Sequence, residues 1–393
     1  MNISLLIMKK IAAILFLTLS INTSAYTYDF TEVDNLIQNA ISNRYFPGAQ
    51  ILVANENEIL YSKSFGYYTY DQNKEVTNES IFDLASLTKV IATTAAVMKL
   101  YDEGKVGLDH RVAYYVPEFA ANGKEWVTVE NLLLHNSGLK AWMPFYTTCY
   151  SKQDVVNTIC NEGLSYQTGT GFKYSDLNAI MLGVLVERIT GMDLDVYCEK
   201  EIFEPLGMKS TYFNPNEFQK ELALPTEYDG NWRGRMLQGE VHDEAASVMG
   251  GVSGNAGLFS NAEDIYEMMK MLLNKGAYVN KMTAGLRIDT FVTSETIERF
   301  LTKPMDTYYY NTRTLGWDTK PEPTSYRQPC GEMISENCFG HTGYTGTSVW
   351  ADRDRKIIVV FLTNRVHPSR SANGIREIRP EIHNKIIEIY SNQ

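Results

Sequence analysis

Ser86 and Lys89 are the residues of this chain whose types and spacing are best suited to catalysis. Residues three apart are neighbours on a helix surface, and a lysine whose pKa is lowered by burial can take the proton of a serine hydroxyl. The positions that follow have the spacing of a helix with one buried face: Leu87, Val90, Ile91, Thr94, Ala95 and Met98. N–H groups at the start of that helix would stabilise the negative charge of acyl transfer. The spacing therefore predicts an acylating serine.

The Ser-x-x-Lys spacing alone is a weak signal, because about one or two such matches are expected by chance in a chain of this length. Ser86 is also a suitable N-cap for a helix that has no catalytic role. A second match, Ser137 with Lys140, lies among Gly, Pro and aromatic residues without helical periodicity, so its two side chains need not share a face. Further residues are needed to support a catalytic Ser86.

Two other segments contain groups that such a serine would need. Tyr174 and Asp176 precede a predicted helix at Leu177–Thr190, where the phenol can exchange protons with a leaving group. The alternative is that Asp176 caps this helix while Tyr174 packs. The glycine-rich segment Gly340–Thr347 lets a substrate backbone approach closely, and one of its N–H groups could form an oxyanion hole with that of Ser86. By itself, this segment equally predicts an ordinary hairpin turn.

Hydrophobic periodicity and turn residues predict the elements that position these groups. The predicted helices cover residues 32–41, 86 to about 104, 177–190, 262–274 and 375–390. The predicted strands cover residues 50–54, 58–66, 313–319, 338–341, 348–352 and 356–363. Because strands occur at both ends of the chain, we expect an α/β fold with one antiparallel sheet flanked by the N- and C-terminal helices. Residues 26–101 and 313–393 would form this sheet domain, and residues 102–312 an inserted, mostly helical domain.

The composition restricts the class of protein and its partners. The chain has 393 residues, of which 44% are hydrophobic, and a formal net charge of −11, which argues against nucleic acid or an anionic membrane as a partner. Residues 1–25 combine a basic start, a short apolar core and a small-residue cleavage site, as a signal peptide does. We therefore expect an exported protein, periplasmic or secreted, with no stable membrane anchor.

The five cysteines leave the disulfide pattern open. Cys149 and Cys160 are close in sequence, as are Cys330 and Cys338, so that either pair, both or neither can be bridged, with Cys198 left free. No pair has zinc-ligand spacing and the histidines are scattered, so neither a metal site nor a cofactor is expected.

Three motifs together resemble those of the penicillin-recognising serine hydrolases. They are Ser86-x-x-Lys89, Tyr174-x-Asp176 and His341-Thr342-Gly343. The resemblance is to the class C β-lactamase group with its D-alanyl-D-alanine carboxypeptidase and esterase relatives, and order and spacing extend it over residues 30–393. Residues 132–139 and 362–365 are similar to other family segments. Residues 239–244 are similar to a subgroup linked to the turnover of cell walls.

The resemblance implies a role for each matching residue. Ser86 would be the nucleophile and Lys89 its base, while Tyr174 would relay protons to the leaving group and activate the deacylating water. The N–H groups of Ser86 and Tyr344 would form the oxyanion hole. The remaining expected substrate-binding residues are Asp176, His341, Thr342, Gly343 and Asn364.

His242 and Asp243 are further candidates. In the resembling subgroup this loop lies over the active site, which implies substrate binding or help with proton transfer. The alternative is a local hydrogen-bonded turn with no role in catalysis.

Two departures from the β-lactamase pattern disfavour efficient β-lactam hydrolysis. Asp176 stands where those enzymes have Asn; a carboxylate cannot donate a hydrogen bond, and its charge keeps Lys89 protonated. His341 stands where they have Lys, which removes a permanent positive charge. Both departures favour a peptidase, amidase or esterase.

The sequence therefore predicts a serine hydrolase that forms an acyl-enzyme on Ser86 and acts on a peptidoglycan-derived peptide or muropeptide amide bond, as a carboxypeptidase or an amidase. The alternatives are an esterase for small acyl esters, a weak class C-type β-lactamase, and a catalytically silent penicillin-binding-like sensor module. The intact set of Ser86, Lys89 and Tyr174 argues against a silent module. The sequence leaves open which bond is cut and whether the chain forms oligomers.

Overall fold

The fold is known from a computed structural model, which describes residues 28–281, 287–304, 313–321 and 328–392. The predicted signal peptide, residues 1–25, lies outside the described residues. The strands are β1 (Gly48–Asn55), β2 (Ile59–Gly66), β3 (Phe82–Asp83), β4 (Tyr212–Phe213), β5 (Pro225–Asp229), β6 (Arg235–Gln238), β7 (Leu258–Ser260), β8 (Ala277–Asn280), β9 (Arg287–Thr290), β10 (Cys338–Thr342), β11 (Ser348–Asp352) and β12 (Ile357–Thr363).

The α-helices are concentrated between the N-terminal and C-terminal strands. They are α1 (Thr31–Ser42), α2 (Ala95–Asp102), α3 (Val112–Tyr115), α4 (Val129–Leu133), α5 (Lys152–Asn161), α6 (Asp176–Thr190), α7 (Leu194–Cys198), α8 (Glu204–Leu206), α9 (Glu217–Leu222), α10 (Glu244–Val248), α11 (Ala262–Leu273), α12 (Ser294–Leu301) and α13 (Ile375–Ser391). Short 3₁₀-helices cover Ala85–Leu87, Pro117–Ala120 and Phe145–Thr147, and π-helices cover Lys89–Thr94 and Glu199–Phe203.

A five-stranded antiparallel sheet joins the two ends of the chain, in the strand order β10-β11-β12-β1-β2. Strand β12 is buried along its whole length, as expected of a strand covered on both faces. Ile51 and Val53 of β1 pack with α1 and α13 on one face, whereas Leu52 and Ala54 belong to the core shared with the helical region. This alternation confirms the predicted α/β fold, with a sheet built from both termini. The predicted domain boundaries stay a prediction.

The segment around residues 313–319 is not the predicted strand. Arg313 pairs with Asp318 in an isolated bridge, and Asp318 pairs with Gly340 of β10 in another. Gly316 between them has φ +88°, a conformation that glycine adopts without strain and that turns the chain back on itself. The segment is therefore a short loop fastened to the edge of the sheet.

The helix after Ser86 is buried on all sides rather than on one. It begins as a 3₁₀ turn, continues as a π-helix and becomes α-helical at Ala95. Thr88 accepts a hydrogen bond from the Leu258 N–H at 3.1 Å, and Thr93 donates one to the Gly254 carbonyl at 2.8 Å. These contacts bury the side that lacks apolar residues, which periodicity alone could not predict.

All five cysteines are buried free thiols, so neither sequence pair is bridged. Cys330 and Cys338 share a small apolar cluster with Ile334 and Trp350. Among the residues described, no helix has both the length and the apolar composition needed to span a bilayer. The same residues contain no cluster of three or more His, Cys, Asp and Glu side chains suited to a metal ion.

Candidate active site

Ser86 lies in a turn with a strained backbone. Ala85, directly before it, has φ +46°, which is uncommon for a residue with a Cβ. The Ala85 N–H donates to one carboxylate oxygen of buried Asp83 at 2.8 Å, and the His242 N–H donates to the other at 2.7 Å. Asp83 therefore clamps the turn that presents Ser86, which fits the tendency of backbone strain to occur at functional sites.

Lys89 uses all its donors inside the site. Its Nζ donates to Ser86 Oγ and to the Asn255 carbonyl, both at 2.9 Å, and pairs with Asp176 Oδ1 at 2.7 Å. Burial alone lowers the pKa of Lys89, but Asp176 and Tyr174 raise it further than burial lowers it, to a value above that of an ordinary lysine. An ammonium with three paired protons cannot take the Ser86 proton. In this geometry Lys89 holds the Ser86 hydroxyl in place, and its role in catalysis stays a prediction.

Asp176 does not cap helix α6, so its carboxylate is available to pair with Lys89. Its N-cap is Ser175, whose Oγ accepts from the Asn178 N–H at 3.4 Å, so the alternative that Asp176 caps the helix is wrong. The Ser175 N–H donates to His135 Nδ1 at 3.1 Å. Tyr174 and Asp176, on either side of Ser175, are thereby directed towards Lys89.

Tyr174 places an unpaired hydroxyl among charged groups. Its oxygen is buried and has no hydrogen-bond partner in the described part of the chain. Lys89 Nζ lies 5.2 Å from the centre of the phenol ring, and the Arg313 guanidinium carbon lies 5.5 Å from it. Burial raises the pKa of Tyr174 most, and Asp176 raises it further. Lys89, Ser86 and, least of all, Arg313 lower this pKa, and the net shift is upward. Tyr174 is therefore a neutral phenol at rest.

The turn after β10 packs directly on the Ser86 turn. Thr345 Oγ1 donates to the Asp83 carbonyl at 2.7 Å, and a Cβ at Gly343 would lie only 2.4 Å from the Leu84 carbonyl oxygen. This position therefore requires glycine. The N–H groups of Ser86 and Tyr344 donate to no acceptor within the described residues, which suits the predicted oxyanion hole.

Two cavities of opposite charge meet at Ser86, Tyr174 and Tyr344, which line both. The first, the acidic cavity, has a volume of about 400 Å³. Its other lining residues are Ala85, Ala141, Trp142, Asp176, His242, Asp243, Glu244, Asn255, Ala256 and Arg370. The second, the basic cavity, has a volume of about 350 Å³. Its other lining residues are Asp318, His341, Thr342, Gly343, Arg365, Ile375, Arg376 and Arg379.

His341 does not supply the charge that a lysine would. Its Nδ1–H donates to the Thr342 carbonyl at 2.8 Å, and its Nε2 is buried without a hydrogen-bond partner in the described structure. Burial lowers the pKa of His341 to about 4, so the ring is neutral at pH 7. His341 and Thr342 do line the basic cavity, where substrate binding was predicted.

His242 and Asp243 form a local hydrogen-bonded turn and also lie at the candidate active site. Asp243 caps α10 by accepting the Ala246 N–H at 2.8 Å, and His242 Nε2 contacts Glu227 Oε2 at 2.9 Å, so the local hydrogen-bonded turn is present. Both residues also line the acidic cavity, and the His242 ring stacks on that of Tyr344 at 5.7 Å. A direct role in catalysis stays a prediction.

Asn364 is the one predicted binding residue that the structure removes from the site. It is only 2% exposed and lines neither cavity. Its Nδ2 donates to the carbonyls of Tyr68 and Pro225, both at 3.0 Å, while its Oδ1 accepts the Gly48 N–H at 3.2 Å. Asn364 therefore fastens β1 to its neighbours, and the prediction that it binds substrate stays untested.

Sequence reasoning missed Arg376 and Arg379, which occupy one face of α13 at helical spacing. Arg379 is buried; its Nε has no hydrogen-bond partner in the described part of the chain, and one Nη donates to the Thr347 carbonyl at 3.3 Å. Burial and nearby Arg365 lower the pKa of Arg379 to about 9. The spacing on α13 was a visible signal, but nothing in it showed which face meets the cavity.

Comparison with known proteins identifies the family of the chain. The model of the Beta-lactamase family matches residues 33–381. The chain belongs to the β-lactamase family. This confirms the resemblance stated from the three motifs and makes the chain a serine hydrolase.

Relatives of this β-lactamase-family protein include two curated bacterial proteins. The N-acetylmuramyl-L-alanine amidase of Bacillus subtilis (strain 168) is 36% identical over 374 residues, covering 87% of this chain and 82% of that protein. A putative D-alanyl-D-alanine carboxypeptidase of Escherichia coli (strain K12) is 34% identical over 370 residues, covering 86% and 82%. The octameric penicillin-binding protein homologue from Pyrococcus abyssi has a TM-score of 0.70 at 23% identity, covering 92% of this chain and 78% of that one, which supports the fold alone.

Proposed function

We propose that this protein is an exported hydrolase that forms an acyl-enzyme on Ser86 and cleaves an amide bond of a peptidoglycan-derived peptide or muropeptide. The observation that carries the proposal is the position of Ser86, which is hydrogen-bonded to Lys89 at the boundary between an acidic and a basic cavity. The names of the two curated relatives, an amidase and a carboxypeptidase, support amide hydrolysis in the cell wall. Export follows from the signal peptide predicted at residues 1–25.

Acylation requires a route for the Ser86 proton that does not begin with a free lysine. As Oγ bonds to the carbonyl carbon, the Ser86 proton passes to the Tyr174 oxygen, and the phenol proton passes to the leaving nitrogen while the C–N bond breaks. Tyr174 is neutral before and after this relay. Lys89 stabilises the negative charge that develops on the two oxygens, and the N–H groups of Ser86 and Tyr344 stabilise the carbonyl oxygen.

Deacylation uses the same relay in reverse. A water molecule attacks the acyl carbon and gives a proton to the Tyr174 oxygen, while the phenol proton returns to Ser86 Oγ as the ester bond breaks. Because Tyr174 lines both cavities, it faces the place where the leaving group is replaced by this water. One unpaired hydroxyl thus serves both half-reactions.

The basic cavity indicates what the substrate presents. Peptide fragments of the cell wall end in carboxylates, and guanidinium groups bind carboxylates with paired N–H donors. Arg379 is buried without an acidic partner in the described structure, and Arg376 beside it is exposed to the same cavity. We assign the anionic end of the substrate to this cavity and the opposite side of the scissile bond to the acidic one.

The test compares the purified protein with its Ser86→Ala variant on a mixture of soluble muropeptides, with products identified by mass spectrometry. Loss of a terminal alanine in the unmodified protein alone identifies a carboxypeptidase, and separation of sugar from peptide identifies an amidase. Intact-mass detection of an acyl group on the unmodified protein but not on Ser86→Ala would assign the nucleophile. Equal products in both samples would exclude Ser86, and no products in either would overturn the proposed substrate.

A further inference from the structure

The phenol of Tyr174 is flanked by two cations, of which the proposed mechanism uses only Lys89. We propose that the second, Arg313, is a positioning residue that stabilises negative charge on the Tyr174 oxygen while protons pass through it. It would thus replace the charge that His341 does not provide. This inference rests on the relay proposed above.

The geometry places Arg313 against Tyr174 and away from the substrate. The guanidinium carbon lies 5.5 Å from the centre of the Tyr174 ring, close to the 5.2 Å of Lys89 Nζ. Arg313 is 2% exposed and lines neither the acidic nor the basic cavity. Its effect on the reaction must therefore act through Tyr174 and not through contact with substrate.

The loop that carries Arg313 is built to hold the guanidinium still. One Nη is paired with Asp318, and the other donates to the Gly316 carbonyl at 2.8 Å. Asp318 exchanges two backbone hydrogen bonds of 2.9 Å with Gly340 of β10, the residue before His341. The loop that failed to form the predicted strand thus ties a buried arginine to the strand next to Tyr174.

Within the described residues, the charged and titratable groups that contact Tyr174 can be assigned. The ring lies among Ser86, Lys89, Asp176, His135, His341 and Arg313. Burial lowers the pKa of His135 and of His341, so neither ring is charged at pH 7. Asp176 is paired with Lys89. Arg313 is then the one cation beside the phenol, within the described structure, that does not also bind the nucleophile.

The relay explains why a second cation is useful. The proton that Tyr174 gives up departs ahead of the proton that it receives, so the neutral phenol becomes a phenolate for a short time and its oxygen is transiently negative. A fixed guanidinium lowers the free energy of that state without reorganising, because its orientation is set by the loop before the reaction begins. Lys89 alone would have to stabilise the charges on Ser86 Oγ and on the phenol together.

The experiment replaces Arg313 by Gln and by Lys and measures hydrolysis of an activated ester, for example p-nitrophenyl acetate, by the full protein. We expect Arg313→Gln to lower kcat by about 10-fold to 100-fold with little change in KM, and Arg313→Lys to recover most of it. Loss of the cation raises the pKa of Tyr174, so the alkaline limb of the kcat profile should move to higher pH in Arg313→Gln. Arg353→Gln removes another paired arginine, bound to Glu298, and serves as the matched control.

Because Arg313→Gln leaves Asp318 without its partner, the double variant Arg313→Gln/Asp318→Asn tests the same idea with the local charge balanced. A folded double variant with the same low kcat and shifted limb supports the inference. Unchanged kcat and pH profile in any folded variant without the charge would overturn it, as would equal losses in Arg313→Gln and Arg313→Lys. If the unmodified protein hydrolyses the ester but no muropeptide, only the proposed substrate fails; if it forms no acyl group on Ser86, the mechanism itself fails.

Discussion

The two cavities that meet at Ser86 differ in how their charged side chains are satisfied. In the acidic cavity Asp176 is paired with Lys89 at 2.7 Å, and each of the three Lys89 protons has an acceptor. In the basic cavity Arg376 and Arg379 have no carboxylate within ion-pair distance in the part of the chain that the structure describes. The ion pair beside Ser86 is thus formed within the protein itself, whereas the two arginines of the basic cavity have no such partner in the described structure.

Under the proposed function, this difference separates the groups that would take part in catalysis from the groups that would bind the anionic end of the substrate. Paired charges are already desolvated and fixed in direction, which suits orienting a nucleophile and stabilising a transition state. A buried cation without a counter-ion costs free energy in the isolated protein and gains its partner only when an anionic ligand binds. The comparison therefore predicts that substitutions on the acidic side change kcat, whereas substitutions on the basic side change KM.

The largest effect is expected from Lys89→Met, which removes the donor that orients Ser86 and leaves Asp176 unpaired. We expect kcat/KM to fall by about 1,000-fold to 10,000-fold in a steady-state assay. The chain provides a control in Lys140, the lysine of the second Ser-x-x-Lys match, which pairs with Glu162 on the surface. Lys140→Met should retain full activity. Equal activity in the two variants would show that Lys89 only packs.

A smaller loss is expected from Tyr174→Phe, at about 100-fold to 1,000-fold in kcat, because the proton relay loses its oxygen. The variant should be as stable as the unmodified protein, since the deleted hydroxyl has no hydrogen-bond partner in the described structure. Tyr197→Phe deletes another buried, unpartnered hydroxyl, away from both cavities, and should leave kcat unchanged. Thermal unfolding of both variants, together with kcat, separates loss of the relay from loss of the fold.

Local spacing explains which residues of the candidate site could be predicted from the sequence. Ser86 and Lys89 are three residues apart, and Tyr174 and Asp176 lie at the start of a strongly apolar helix, so a helical turn is enough to bring each pair together. The strands of the sheet were recognisable for the same reason, since apolar runs bounded by turn residues are local signals.

The residues that were missed or misplaced depend on long-range packing. A buried arginine such as Arg313 or Arg379 has the same side chain as a surface arginine, and only the tertiary fold decides which one is desolvated. Asn364 lies in a segment that resembles the family, but the direction of its side chain depends on the carbonyls of Tyr68 and Pro225, far away in sequence. The resemblance identified the segment, but it could not predict which atoms the Asn364 side chain contacts.

On the basic side, Arg379→Met should raise KM for an anionic peptide by about 10-fold to 100-fold, the value of a charge-assisted hydrogen bond, with kcat nearly unchanged. The same substitution should increase the free energy of unfolding, because it removes a buried cation whose pKa is already lowered to about 9. The matched substrate is the same peptide with its carboxylate amidated, for which the KM of both proteins should agree. A fall in kcat with unchanged KM would place Arg379 in the catalytic step and contradict the comparison.

The smallest effect concerns pH and the neutral histidine of the basic cavity. The pKa of His341 is lowered by burial from 6.5 to about 4, so between these values the unfolded chain binds a proton that the folded protein does not. Stability must therefore be fully present above pH 6.5 and fall as the pH approaches 4, by roughly 1–3 kcal/mol for one such group. In His341→Asn, the slope of the unfolding free energy against pH should be smaller between pH 4 and pH 6.5, by the equivalent of up to one bound proton. Burial and Arg379 lower the pKa of His383 to about 3, so His383→Asn should have the same effect. An unchanged slope in His341→Asn would mean that folding does not shift the pKa of His341 and would contradict the prediction.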